Sequence, residues 1–143
     1  MGYTLQLVID CQDPHVLAGW WAETLGWHVE AQDATFIQSM IEQGHAKESD
    51  TRTYDGALVW REGAAINSEV EKSPTTTRIY FQGVPEGKTG KNRVHLDVRV
   101  GGDDPVKVRE SLVARGATVL YTGAQGPHTW TTMADPEGNE FCV

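Results

Sequence analysis

Residues 7–27, LVIDCQDPHVLAGWWAETLGW, hold a strand and a helix back to back, and the reading of the whole chain grows from them. From Thr4 to Cys11 apolar and polar residues alternate: Leu5, Leu7, Ile9 and Cys11 share one face, and Gln6, Val8 and Asp10 the other. That period of two predicts a half-buried strand. Asp13 is a good helix N-cap and Pro14 suits the first helical position, where a missing N–H costs nothing. Leu17, Trp20, Trp21, Thr24 and Leu25 then fall on one stripe, and Gly26 supplies the stop.

The same order returns in the second half. Arg93 to Val100 alternates like a strand, Asp104 and Pro105 open a helix carrying Val108 and Leu112, and Gly116 closes it. Three short strands are predicted after it, at 118–122, 129–134 and 139–143, the last two joined by a four-residue turn, Asp135-Pro136-Glu137-Gly138. This register sets Thr129, Thr131 and Met133 beside Glu140 and Cys142, with Trp130 and Phe141 packed behind. In the first half the matching strands are 27–31, 57–66 and 78–83. Between them Asp33 caps a short helix bearing Phe36, Ile37, Met40 and Ile41, and 44–56 reads as a polar surface loop.

The expectation is an α+β fold: two paired βαβββ modules forming an open, roughly eight-stranded curled sheet around a central cavity, with the helices outside. Module one spans about 3–84 with an insertion at 33–56, module two about 92–143, and together they make one domain over 1–143. A chain of 143 residues is long enough for a single hydrophobic core.

Charge and composition exclude several functions. Twenty acidic against twelve basic residues leave a net charge of −8, which repels nucleic acid and anionic membranes. No apolar run approaches the roughly 20 residues that cross a bilayer, and no signal-peptide pattern opens the chain, so a cytoplasmic protein is expected. Cys11 and Cys142 are then free thiols. The stretch GVPEGKTGK (83–91) looks like a phosphate loop but has three residues between Gly83 and Gly87 where that loop needs four, and it leads into a strand instead of a helix. Its lysines read either as anchors to acidic surface or as the rim of the cavity.

The stretches 7–27, FQGVPEGKTGKNRVHLDVRV (81–100) and TMADPEGNEFCV (132–143) resemble the vicinal oxygen chelate superfamily, and within it the glyoxalase-like and bleomycin-resistance-like proteins. The resemblance covers nearly the whole chain. It implies the paired modules above, often a divalent metal in the cavity, and often a homodimer. Metal-binding members place one ligand on the first strand and one on the last strand of each module. By that resemblance the first-strand positions are Gln6 and His95, the metal residues expected here. The last-strand positions fall on Tyr80 and Cys142 where glutamates are usual, a departure that disfavours a hard ion.

Alternation sends Arg93, His95, Asp97 and Arg99 to the concave face, where they either form ion pairs such as Arg93 with Asp97 or line a wet pocket. Glu140 falls near His95, and desolvation there would raise its pKa. Its alternative is a salt bridge to Arg93 or Lys91. Trp60 either stacks on a flat ligand or completes the core, and His15, His28, His45 and His128 read as surface residues. The candidate catalytic residues are thus Glu140 and His95, and the candidate ligand-binding residues Gln6, Tyr80, Asp97, Trp60, Arg93 and Cys142. Two functions stay open: a lyase or isomerase moving a proton on a small oxygenated metabolite, or a non-catalytic protein that sequesters a small molecule or antibiotic.

Overall fold

The computed structural model describes residues 2–143. Its elements are β1 (Leu7–Cys11), α1 (Pro14–Leu25), β2 (His28–Val29), α2 (Ala34–Glu42), β3 (Thr51–Tyr54), β4 (Ala57–Trp60), β5 (Gly63–Asn67), β6 (Arg78–Gly83), β7 (Leu96–Asp97), α3 (Pro105–Ala114), β8 (Thr118–Gln125), β9 (His128–Ala134) and β10 (Glu140–Cys142). They fall into two compact units that divide between Gly87 and Lys88.

Each unit is a βαβββ module, with the same strand order in its sheet. The first unit runs β1-β6-β5-β2 and the second β7-β10-β9-β8. In each, the first strand pairs in parallel with the last, and every other pairing is antiparallel. A parallel pair cannot be closed by a tight turn, so the helix and two strands between its members form the crossover. The mixed α+β fold and the duplication read from the sequence are both present.

In the first unit α1 begins as its caps require. Asp13 Oδ1 accepts from the His15 and Val16 amides, both at 3.2 Å, and Gly26 ends the helix in the left-handed region at φ 67°. Leu17, Trp20 and Trp21 are buried, as are Ile66 of β5 and Ile79 and Phe81 of β6, the strands on which α1 packs. In the second unit Asp104 caps α3 through the Val106 amide at 2.9 Å. Leu112 is the one α3 residue buried, together with Met133 and Phe141 of the sheet.

The insertion differs from the expected loop. Residues 51–60 form a hairpin, β3 with β4, which pairs Thr51 with Trp60 and Tyr54 with Ala57. Its turn, Asp55-Gly56, has both residues at positive φ, 49° and 76°. This is the two-residue geometry that Asp-Gly favours between strands. The expected strand 57–66 therefore breaks at Arg61-Glu62: β4 belongs to the hairpin and β5 to the main sheet. Arg61 holds the break, donating from Nε to the Ser49 carbonyl and from Nη2 to the Thr51 carbonyl. The strand expected over 93–100 shrinks to the pair Leu96–Asp97.

His15 is buried, not a surface residue. Its Nε2 lies 2.7 Å from the Trp60 carbonyl and its ring stacks on Tyr54 at 5.1 Å, tying α1 to the hairpin.

The last hairpin closes on a loop one residue shorter than expected. The Asp135 amide donates to the Asn139 carbonyl at 2.8 Å, Asp135 Oδ1 accepts from the Glu137 and Asn139 amides, and Gly138 sits at φ 92°. Three residues between paired ends, with glycine left-handed at the third, form the bulged hairpin turn. The change moves the register by one. Glu140 faces Ala134, Phe141 faces Met133 and Cys142 faces Thr132, so Met133 goes to the core and Trp130 shares the parity of Thr132. Gly123, paired with Trp130, leaves room for the indole, because a Cβ there would sit within the ring's van der Waals radius.

Candidate functional site

The strand registers put equivalent positions of the two units side by side. β1 pairs with β6 so that Val8 faces Tyr80, and β7 pairs with β10 so that Asp97 faces Cys142. Gln6 and His95 each lie two residues before the first member of that pair, on the same face.

In the first unit that face carries a pocket of about 220 Å³. Trp60 and Tyr80, both expected to bind ligand, line it together, with Phe36 and Ile37 of the inserted helix, Asp33 and Arg78. The walls are held by polar bonds. Gln32 bridges two strands, donating from Nε2 to the Gly63 carbonyl and accepting at Oε1 from the Trp60 amide, each at 2.8 Å. Gly63 makes space for Tyr80, whose ring and hydroxyl occupy the volume a Cβ would take.

Arg78 is committed to its neighbours. It reaches Glu30 from Nε and Nη2, both at 3.0 Å, donates from Nη1 to Gln6 Oε1 at 2.7 Å, and lies 5.5 Å from the centre of the Tyr80 ring. Its hydrogen bond to Glu30, helped by Asn67 and Lys72, outweighs burial and brings the Glu30 pKa down to about 2. Gln6 is exposed and its carbonyl oxygen, the atom a cation would need, faces this guanidinium.

In the second unit His95, Asp97 and Cys142 come together. Their ligating atoms all lie within 4.8 Å of one another. Asp97 pairs with His95, Oδ1 to Nε2 at 3.4 Å, not with Arg93, which is exposed. The Cys142 Sγ lies 3.4 Å from the Thr132 hydroxyl.

Glu140 is held differently from the expectation. Lys88 donates to Oε1 at 3.0 Å and the Asn92 amide to Oε2 at 3.1 Å. Burial pushes its pKa up, but the Lys88 ammonium, the Asn92 amide and its own amide prevail and hold the carboxyl below the usual carboxylate range. The shift runs opposite to the one a neutral-pH base requires. Lys88 also reaches the Gly90 carbonyl, so it anchors the loop. Its pairing with Glu140 spans 52 positions, which no local pattern marks.

The divalent metal implied by the resemblance meets a mixed donor set here. A nitrogen, a carboxylate oxygen and a sulfur fit a Zn²⁺-like ion and not Mg²⁺ or Ca²⁺. His95 and Asp97 belong to that set, whereas Gln6 belongs to the first unit and is bonded to Arg78. Among the described residues no helix is long and apolar enough to cross a membrane.

Solved structures share this fold at low sequence identity. A member of the glyoxalase/bleomycin resistance protein/dioxygenase superfamily from Sphaerobacter thermophilus is 16% identical with a TM-score of 0.56, over 99% of this chain and 95% of that one. The trypanothione-dependent glyoxalase I of Leishmania major gives 12% and 0.54 over 99% and 85%, and the bleomycin-binding protein of Streptomyces verticillus, solved with copper(II)-bleomycin, 14% and 0.50 over 99% and 96%. No curated protein matches the sequence. The glyoxalase-like domain profile matches residues 6–143, and with the duplicated βαβββ order this places the chain in the glyoxalase-like domain family of the vicinal oxygen chelate superfamily.

Proposed function

We propose that the protein binds a small molecule non-covalently, with the pocket of the first unit as the seat of the ligand and Trp60 and Tyr80 as its aromatic walls. The observation that carries this reading is the convergence of those two rings on one pocket of about 220 Å³. Arg78 and Glu30 satisfy each other there, so they contribute rigidity more than binding charge. Asp33 and the net charge of −8 favour a flat, cationic guest that stacks on Trp60. The chain acts on this reading as one glyoxalase-like domain, assembled as a homodimer in the cytoplasm.

Proton-transfer catalysis is the second reading. The grouping of His95 with Asp97 favours it, since a carboxylate can orient an imidazole and fix its tautomer. Glu140 serves on our reading as an anchor for the 88–92 loop and not as the base.

Thermal-shift screening against planar organic cations tests the first reading. A binder raises the melting temperature of the wild type by mass action. Trp60→Ala is expected to weaken binding by about 1–2 kcal/mol, the loss of a stacked cation, while His95→Ala leaves it unchanged. Equal binding by wild type and Trp60→Ala would remove the pocket from the account.

A further inference from the structure

The pocket of the first unit discriminates among cations, on the reading above that it seats the ligand. We infer that the guest carries its positive charge on an alkylated nitrogen with no N–H to donate: a planar quaternary cation, selected over a protonated amine or a guanidinium.

The polar groups of the wall are already committed. Gln32 uses both ends of its amide on the Gly63 carbonyl and the Trp60 amide. The Trp60 carbonyl accepts from His15 Nε2 at 2.7 Å, and the Ala65 carbonyl from the Glu30 amide at 2.8 Å. Glu30 takes the Arg78 fork on its two oxygens, and Oε2 also lies 2.8 Å from Asn67 Nδ2 and 2.9 Å from Lys72 Nζ. Among the described side chains that line the pocket, two acceptors keep no hydrogen-bond partner, Asp33 Oδ2 and the Tyr80 hydroxyl. An ammonium brings three N–H donors and a guanidinium five. Such a guest would leave hydration behind and find too few acceptors, and each donor left unmade weakens binding. A quaternary nitrogen has no donor to lose.

The rings supply the attraction that a quaternary cation needs. Phe36, 53% exposed on α2, adds a third aromatic ring to those of Trp60 and Tyr80. Aromatic faces draw cations through the ring quadrupole without asking for a hydrogen bond, and grouped rings hold quaternary ammonium ligands in this way. Tyr80 already has the Arg78 guanidinium over its ring, so the guest's charge belongs with Trp60 and Phe36. Asp33 stands beside them: its Oδ1 caps α2 through the Thr35 and Phe36 amides at 2.9 and 3.1 Å, and Oδ2 leaves a negative charge for the guest.

The plainer account is that Asp33 is only a helix cap, Phe36 an ordinary exposed apolar residue, and the pocket takes planar cations without regard to N–H groups. Isothermal titration of the full-length protein at pH 7 with three probes of similar shape separates the two: N-methylquinolinium, 4-aminoquinoline, which is protonated there and keeps its N–H donors, and neutral quinoline. N-methylquinolinium should bind at least ~10-fold more tightly than 4-aminoquinoline, the equivalent of one unmade hydrogen bond. Asp33→Asn keeps the cap, since asparagine serves as well there. It should weaken N-methylquinolinium about 2–5-fold and leave quinoline unchanged. Phe36→Leu should weaken N-methylquinolinium by a similar factor of about 2–5. If 4-aminoquinoline binds as tightly as N-methylquinolinium, or Asp33→Asn weakens quinoline equally, while Trp60→Ala still abolishes binding, the pocket stands and the preference for a quaternary cation is overturned. If none of the probes binds the wild type, or Trp60→Ala leaves binding intact, the pocket reading itself fails and this inference with it.

Discussion

The two units share a topology and differ in how they are filled. α1 buries Leu17, Trp20 and Trp21, whereas α3 buries Leu112 alone and leaves Val106 and Val113 half exposed. Their sheets diverge at matching positions too: Val8 and Tyr80 in the first, Asp97 and Cys142 in the second. Strand order thus fixes where side chains meet, and the residues at those points fix what the face can do. One face offers aromatic walls for a ligand, the other three groups able to hold an ion.

The difference in packing should appear as the largest effect. Trp21→Ala is expected to cost about 4 kcal/mol of unfolding free energy, through lost burial and the cavity left behind, whereas Val113→Ala in α3 should stay within about 0.5 kcal/mol. Urea unfolding checks both, and equal losses would mean that the helices contribute alike.

Polar anchoring comes next, with one carboxylate in each unit. Lys88→Met leaves Glu140 without its cation in a mostly buried place, and should cost about 2 kcal/mol. Because the folded pKa of Glu140 is depressed, its stabilisation is present above the usual carboxylate range and is lost as pH falls below it. In the first unit Glu30 falls from 4.5 to about 2 on folding, so its contribution is complete above pH 4.5 and disappears as pH drops towards 2. After allowance for solvent screening this amounts to about 2 kcal/mol. Melting temperature against pH should be flatter across that window in Glu30→Gln than in the wild type, and identical slopes would contradict the cause assigned.

The smallest predicted effect concerns the pocket. Gly63→Ala would push Tyr80 from its place at a stability cost of about 1 kcal/mol, and should reduce ligand affinity more than stability. Gly123→Ala in the second unit, which disturbs Trp130, should leave ligand affinity unchanged.

Legibility in the sequence followed the range of the forces involved. All three helices begin where their aspartates place them, at Asp13, Asp33 and Asp104, because capping is settled within a few residues. The duplicated module was readable for the same reason. The hairpin of the insertion left one local sign, Asp55-Gly56 between apolar residues, which the polarity of 44–56 masked. Burial of His15 depends on a carbonyl 45 positions away, and the partner of Glu140 on a loop lysine 52 away, so neither shows in a local pattern. Turn length was decisive for the last strand: counting four residues instead of three puts Thr131 opposite Cys142 and Met133 opposite Glu140, where the structure has Thr132 and Ala134. For the site, the pairing of Trp60 with Tyr80 required knowing that 57–66 breaks at Arg61-Glu62.

The central claim is that the first unit's pocket holds the ligand through Trp60. Isothermal titration of one confirmed planar cation into the wild type, Trp60→Ala and His95→Ala tests it most directly. The account predicts affinity lost in Trp60→Ala and kept in His95→Ala; the reverse pattern would contradict it.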